Sequence, residues 1–303
     1  MLKSANLITP LLTRLRSGRA TVGLELAKPD DAMLAYLKFI FGKVPVKELR
    51  FVHVVPGVDF FATNTVTPLE MDEHILAAMQ VEISDAFREL KGVNATLEVR
   101  SGRPLDELLE DLEAPETAMA VIGQRDDGRH NILARKLARR ADCPLLVIPE
   151  DARPTMDHIM VPIDFSPHSA EALRTALALR ELINPKARIS ALHIYELPDL
   201  SPYRASRTPE EMKAAVRSDR EAAMNRFLRD QIGVDMEQVE PVLINHNLPG
   251  ITRYLQDFAK AEDVDFVVMG AKGHSKLELL LLGSVAENFL SDNEDLPVLL
   301  VKE

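Results

Sequence analysis

The chain has a single cysteine and no long apolar run, and both shortages limit the class of protein to which it can belong. Cys143 cannot form an intrachain disulfide, and its place before Pro144 and an apolar run predicts a buried, inert thiol without a redox role. No apolar run approaches the roughly 20 residues that cross a bilayer, so we expect no membrane span. The first residues lack the apolar core of a signal peptide, and the expected location is cytoplasmic.

A net charge of −11 argues against a broad nucleic-acid surface, which needs clustered lysine and arginine. Neither a zinc motif such as H-E-x-x-H nor a G-x-S-x-G elbow occurs, so we expect no zinc site and no nucleophilic catalysis. One basic cluster is predicted to be a solvated helix face, with an acidic partner or a lipid head group as the alternative. Its members are Arg125, Arg129, Arg135, Lys136, Arg139 and Arg140.

The 303 residues are enough for two ordinary domains, and the two halves repeat the same order of signals. Each half has a first strand followed by a proline, and then a strand that contains a histidine, His53 or His193. Each also has a Thr-Pro-x-Glu capping box, which starts at Thr67 or Thr208. Residues 153–155 are the expected linker between domains at 1–152 and 156–303.

The alternation of continuous apolar strands with helices predicts an α/β fold. We expect two tandem doubly wound domains, each with a five-stranded parallel sheet covered by helices on both faces. The expected first strand of the first half is 22–26. The last strands, 144–148 and 297–301, are candidates for pairing with each other, because this would hide two sheet edges.

Three glycines follow the apolar run 265–269, in the spacing Gly270-x2-Gly273-x9-Gly283-Ser284. Glycine-rich turns expose backbone N–H groups, and the positive end of a following helix attracts anions. The P-loop and Rossmann signatures are both absent. The motif therefore predicts a phosphate or nucleotide site, with a plain strand-to-helix turn as the alternative.

This spacing resembles the nucleotide signature of the ATP-binding branch of the universal stress protein family, and the resemblance covers nearly the whole chain. It implies an adenine nucleotide, ATP with Mg²⁺, bound in the second half. It also implies that the last strands join the two halves as an internal pseudo-dimer. A further homodimer is possible, and the protein partner is unknown.

The resemblance also assigns roles to individual residues of the second half. Asp164, just after Pro162 at the end of the first strand, would contact the adenosine; the alternative is a carboxylate that stabilises a helix start. Apolar walls would hold the base, although the same residues could be plain core. The phosphates would lie against the glycines and the start of the last helix, where Ala286 replaces a residue that is often a hydroxyl in the family. The implied contacts are Pro162, Asp164, Ile194, Met269, Gly270, Gly273, Gly283, Ser284 and Val285.

The first half departs from the same pattern. Leu26 is expected at the place of Asp164, and Asn131-Ile132 at the place of Gly283-Ser284. An apolar side chain and a non-glycine residue at these positions predict a degenerate domain without a nucleotide.

The sequence thus predicts an ATP-binding universal stress protein that responds to nucleotide and is not an enzyme beyond slow ATP hydrolysis at most. Two alternatives remain at this point. One is a scaffold without nucleotide that binds a protein or a lipid. The other is an adenylyl-transferring enzyme, although the loops typical of that class are missing.

Overall fold

A computed structural model of the chain describes residues 9–26, 29–55, 68–87, 92–125, 131–197, 208–234, 237–246, 250–272 and 282–302. The first half contains α1 (Pro10–Ser17), β1 (Arg19–Leu24), α2 (Pro29–Phe41), β2 (Glu48–Val55), α3 (Pro68–Phe87), β3 (Asn94–Ser101), α4 (Pro104–Leu112), β4 (Thr117–Gln124), α5 (Asn131–Arg140) and β5 (Leu145–Pro149). The second contains β6 (His158–Pro162), α6 (Pro167–Ile183), β7 (Arg188–Glu196), α7 (Pro209–Arg226), a π-helix (Phe227–Ile232), β8 (Glu240–His246), α8 (Ile251–Ala261), β9 (Phe266–Gly270), α9 (Ser284–Asp292) and β10 (Val298–Val301).

The described strands form one ten-stranded sheet in the order β3-β2-β1-β4-β5-β10-β9-β6-β7-β8. Neighbouring strands are parallel within each half. The exception is the centre, where β10 pairs antiparallel with β5 and Leu299 lies opposite Leu146. The strand order reverses between β1 and β4 in the first half and between β6 and β9 in the second. These two places are where a doubly wound sheet opens a crevice for ligands.

Helices cover both faces of the sheet, as the sequence predicts. One core lies between the sheet and α1, α2, α3, α6 and the π-helix, and the other lies under α4, α5, α8 and α9. Both cores contain residues of both halves. The burial of β5 and β10 on both faces explains their continuous apolar sequences.

Several helices begin where the local sequence predicts. Thr208 and Glu211 form the predicted reciprocal capping box at the start of α7. Ser166 caps α6, because its Oγ accepts the N–H of Ser169 at 3.1 Å. The corresponding prediction at Thr67 falls on a residue outside the described ranges.

The predicted first strand, 22–26, is wrong in position, since β1 spans Arg19–Leu24. Helix α1, which precedes it and buries Leu11, Leu12 and Leu15, was not predicted. The π-helix after α7 was not predicted either; it ends at Gly233, whose φ of 79° is readily adopted by glycine.

A buried carboxylate holds the end of α4 against the first half of the sheet. Asp111 Oδ1 pairs with the guanidinium groups of Arg19, Arg50 and Arg100 at 3.3, 2.8 and 3.1 Å. Its Oδ2 accepts the hydroxyl hydrogen of Thr21 at 2.6 Å. Because removing one partner would leave buried charge uncompensated, this cluster fixes α4 firmly.

Two glycines occupy matching positions at the ends of β9 and β4, and they allow a paired prediction. Gly270 is three residues beyond Val267, whose N–H donates to Pro297; Gly123 is three beyond Ala120, whose N–H donates to Pro144. A Cβ at Gly270 would lie 2.9 Å from backbone and Cβ atoms of His168 in α6, whereas a Cβ at Gly123 would have its nearest neighbour at 3.7 Å.

We expect Gly270→Ala to lower the free energy of unfolding by about 1–3 kcal/mol, since α6 or β9 must shift to admit the methyl group. Gly123→Ala should change it by less than about 0.5 kcal/mol. Urea unfolding followed by circular dichroism measures both. Equal effects of the two substitutions would contradict the close approach of α6 to β9.

Candidate functional site

A cavity of about 410 Å³ opens at the carboxyl ends of β6, β7 and β9, where the strand order of the second half reverses. Helices α8 and α9 supply its other walls. This is the position at which open α/β sheets bind ligands. Its described lining comprises Pro162, Ile163, Asp164, Leu192, His193, Ile194, Ile251, Leu255, Met269, Gly270, Lys272, Leu282, Gly283, Ser284, Val285, Ala286 and Glu287.

Asp164 reaches the cavity from the turn between β6 and α6. Its Oδ1 accepts the N–H of Ser166 at 3.0 Å, and Phe165 between them has a left-handed φ of 64°. A bulky residue in that conformation is uncommon and indicates that the surrounding packing imposes the turn. The carboxylate is therefore fixed at the cavity wall, while Ser166 and not Asp164 caps the helix.

His193 forms part of the wall from β7. Its Nδ1 lies 2.8 Å from the carbonyl oxygen of Ile163, which can only accept, so Nδ1 carries the proton. Its Nε2 is buried without a partner among the described residues. Burial lowers the pKa of His193, and the Ile163 bond only partly opposes this, so the ring is neutral at pH 7.

The start of α9 faces the cavity without a side-chain cap. Gly283 is its N-cap residue, and no side chain in the described part of the chain accepts the first amides of the helix. The Gly283 N–H itself donates to Ala271 at 2.7 Å, whereas those of Ser284, Val285 and Ala286 precede the first intrahelical donor, Glu287. These three amides, together with the positive end of the helix, can receive an anion.

The glycines serve different purposes from those predicted. Gly283 has an extended backbone, with φ −72° and ψ 145°, that any residue can adopt. Gly270 is required by the nearby backbone of α6 at His168 and not by a left-handed turn. Glycine at position 270 is thus needed for packing against α6, and Gly283 leaves the start of α9 without a side-chain cap. Neither position is a turn that only glycine permits.

Glu287 lies in the first turn of α9, lines the cavity and contacts the first half of the chain. Its Oε1 accepts from Arg135 of α5 at 3.0 Å and also from Arg139. Partial burial acts to raise the pKa of Glu287, but the two guanidinium groups outweigh it and hold the pKa below its usual range. The basic cluster of α5 is therefore partly engaged with the second half, instead of being only a solvated face.

Apart from Lys272, the remaining described lining is apolar. Ile194 and Met269 provide the two predicted walls, and Leu192 lies beside them. Ile251 and Leu255 of α8 and Leu282 before α9 complete it. An apolar cavity with a few polar groups at one end is typical of small-molecule sites.

The structure brings together all the predicted site residues that it describes: eight of the nine line this one cavity, and Gly273 lies outside the described residues. Sequence reasoning missed the α8 wall, Leu282 and Glu287. The position of Glu287, three residues after Ser284 in the first turn of a helix, was a signal that could have indicated it.

The predicted counterpart of Asp164 in the first half is wrong by one residue. The Leu24 carbonyl lies 3.0 Å from His53 Nδ1, just as the Ile163 carbonyl lies near His193. Glu25 therefore stands at the place of Asp164. Leu26, with φ 57°, matches Phe165 instead. The alternating apolar pattern continues past the real end of the strand, which caused the error.

The counterpart of the α9 start is also shifted by one residue. Helices α5 and α9 begin the same number of residues before β5 and β10, so Asn131 corresponds to Ser284. The position that matches Gly283 is residue 130, outside the described ranges.

Comparison with known proteins relates the second half of the chain to a known family. Residues 155–302 match the family model described as "Universal stress protein family". Universal stress protein MJ0531 of Methanocaldococcus jannaschii is 28% identical over 149 residues, which cover 48% of this chain and 81% of that protein. The match to the universal stress protein family thus lies in the second half of the chain.

Solved structures extend the likeness of fold to the whole chain. A universal stress protein from Archaeoglobus fulgidus covers 95% of this chain and 97% of its own, with 17% identity and a TM-score of 0.62. A protein from Pseudomonas aeruginosa, described as functionally unknown, covers 96% and 94%, with 17% identity and a TM-score of 0.68. At this identity the likeness concerns the fold alone.

The described residues contain neither a membrane-spanning helix nor a cluster of metal ligands. None of their helices combines the length and the apolar character needed to cross a membrane. Within those same ranges, no group of three or more His, Cys, Asp or Glu side chains could hold a metal ion.

The lowered pKa of His193 predicts a pH dependence of stability. As the pH falls below about 6.5, the unfolded chain takes up the proton before the folded one does, and stability is lost until the folded-state pKa is reached. We expect His193→Asn, whose amide can still donate to Ile163, to make this acid loss shallower. Urea unfolding at pH values between about 5 and 8 measures how the free energy of unfolding depends on pH. Parallel pH profiles for the two proteins would contradict a titrating His193.

Proposed function

We propose that the second-half cavity binds one ATP and that the protein acts as a nucleotide-responsive stress factor. One observation carries the proposal: the uncapped start of α9 and the carboxylate of Asp164 line the same cavity. An anion-binding end and an acceptor for polar hydrogens, separated by apolar walls, match the three parts of a nucleotide.

The adenosine would lie between Asp164 and the apolar walls. A carboxylate can accept hydrogen bonds from ribose hydroxyls or from the exocyclic amine of adenine. Ile194 and Met269 flank the space where the planar base would lie. Because the turn at Phe165 already holds Asp164 in place, little ordering of this end is needed on binding.

The phosphates would lie at the start of α9. The amides of Ser284, Val285 and Ala286 and the Ser284 hydroxyl are the donors, and Lys272, which also lines the cavity, adds a positive charge. Glu287 would repel a triphosphate, but Arg135 and Arg139 offset its charge. The first half thus contributes to the electrostatics of a site formed by the second.

Magnesium would arrive with the triphosphate rather than occupy a site built by the protein. The only carboxylates among the described lining residues are Asp164 and Glu287, and Glu287 is held by two arginines. Mg²⁺ often binds through substrate phosphates and water, and Asp164 is proposed for the adenosine end, so the metal would be held by the phosphates and water.

We propose binding, with at most slow hydrolysis, as the function. Phosphoryl transfer needs a residue that orients or deprotonates the attacking group. His193 is 8% exposed, its Nδ1 is bonded to Ile163, and its Nε2 is sealed from solvent. It therefore does not fit that role.

Substitution of Gly283 tests the phosphate position. Gly283→Asp should keep the fold, because the backbone is extended and aspartate is a favourable N-cap residue. Its carboxylate would occupy the anion site, so we expect ATP affinity to fall by at least about tenfold. Isothermal calorimetry measures the affinity, and thermal unfolding checks the fold.

The control is Asn131→Asp, which adds the same charge at the first residue of α5 in the first half, the counterpart of Ser284. It should leave ATP affinity unchanged. Equal losses in the two variants, or a loss in neither, would contradict the assignment of the site to the second half.

The arginines of α5 allow a second test. Replacing both Arg135 and Arg139 with alanine leaves Glu287 unneutralised beside the phosphates, so ATP affinity should fall by about three- to tenfold. Affinity for adenosine should not change. Arg140→Ala is the control, because Arg140 pairs with Asp106 in the first half. Equal losses for ATP and adenosine would show that the arginines act only through the fold.

A further inference from the structure

The first half has its own cavity, and its chemistry differs from that of the second. A space of about 750 Å³, against about 410 Å³ in the second half, opens at the carboxyl ends of β1, β2 and β4. Helices α4 and α5 form its outer walls. The Asp111 cluster holds α4 against the sheet at its far end, so this wall is rigid.

The carboxylates of this cavity are already paired. Glu25, which stands at the place of Asp164, lies 2.6 Å from the guanidinium of Arg125. Asp106 lies 3.5 Å from Arg140. A ligand that relies on a carboxylate acceptor, as proposed for the second half, would have to break the Glu25 pair.

Two cations of this cavity lack such pairing. Arg103 and Lys136 both line it, and neither contacts a carboxylate within the described ranges. Arg103 precedes the first turn of α4, which has no side-chain cap. Two exposed positive side chains that line one cavity favour an anionic group.

Apart from His53, whose Nδ1 lies 3.0 Å from the Leu24 carbonyl oxygen, the rest of the described lining is apolar. Val52, Leu108 and Ile122 are each at most 5% exposed and form the floor. Ile132, which also lines the cavity, is 50% exposed. Among the described residues, it and Val81 are the two large hydrophobic side chains that are exposed. A ligand with an apolar body would cover Ile132 and remove this surface from water.

We propose that the first-half cavity is a second binding site for an amphipathic organic anion. Its phosphate or carboxylate group would be held by Arg103 and Lys136, and its apolar body would lie on Val52, Leu108 and Ile122. The site is independent of the nucleotide proposed for the second half. The two halves of one sheet then bind two different classes of small molecule.

Three probes that share a naphthalene body test the proposal by equilibrium dialysis against the full chain: naphthyl phosphate, naphthoate and naphthol. We expect at least one of the two anions to bind, and naphthol to bind about tenfold more weakly or not at all. The stronger of the two anions identifies the head group. The proposal would be overturned if naphthol bound as tightly as both anions. It would also be overturned if neither anion bound at millimolar concentration.

Charge reversal locates the site. Arg103→Glu with Lys136→Glu should weaken the anionic probe by about tenfold or more, while Lys272→Glu, the same change at the second-half cavity, should not. If the charge-reversed protein does not fold, Arg103→Gln with Lys136→Gln replaces it. This milder pair should also weaken binding of the anionic probe, by a smaller factor.

The reverse pattern, with loss only in Lys272→Glu, would place the probe in the second half and overturn the proposal. ATP that displaces the probe from Lys272→Glu protein would also overturn it, since the first-half cavity would then be a nucleotide site.

Discussion

The antiparallel pairing of β5 with β10 is the interaction on which the rest of the molecule depends. It covers the edge of each half with the edge of the other and leaves the described strands in one sheet. The same pairing sets α5 beside α9, which is why Arg135 can reach Glu287. Tyr36 adds a further link, because its hydroxyl donates to Thr155 and its ring stacks on Phe266.

One backbone plan forms two cavities with different linings. In both halves a strand ends at a carbonyl bonded to histidine, a carboxylate follows, and the next residue has a left-handed φ. The side chains at this shared position then differ in their partners: Asp164 accepts from Ser166, whereas Glu25 pairs with Arg125. A repeated fold thus keeps the geometry of a crevice, while substitutions at its lining change which ligands it favours.

Much of the fold follows from local patterns in the sequence. Continuous apolar strands, the Thr208 capping box and the repeated histidine strand together determine the α/β class and the doubling. The strand-end aspartate and the Gly283-Ser284 helix start likewise indicated most of the second-half cavity. These signals succeed because each depends on residues close together in the chain.

The errors have a different physical origin. Leu26 continues an alternating pattern but leaves the strand, because a left-handed turn imposed by tertiary packing ends β1 earlier. The contact of Arg139 with Glu287 depends on which strands meet at the centre of the sheet, and no local pattern encodes this. The need for glycine at position 270 arises from α6, about 100 residues away in the chain, at a close approach of backbones.

Calorimetric titration of the nucleotide-free protein with Mg-ATP tests the central claim most directly, because its stoichiometry counts sites. We expect one site per chain, in the second half. Two sites would show that the first-half cavity accepts nucleotide despite the Glu25–Arg125 pair. If Mg-ATP did not bind at all, the proposed nucleotide-binding function of the second half would be contradicted.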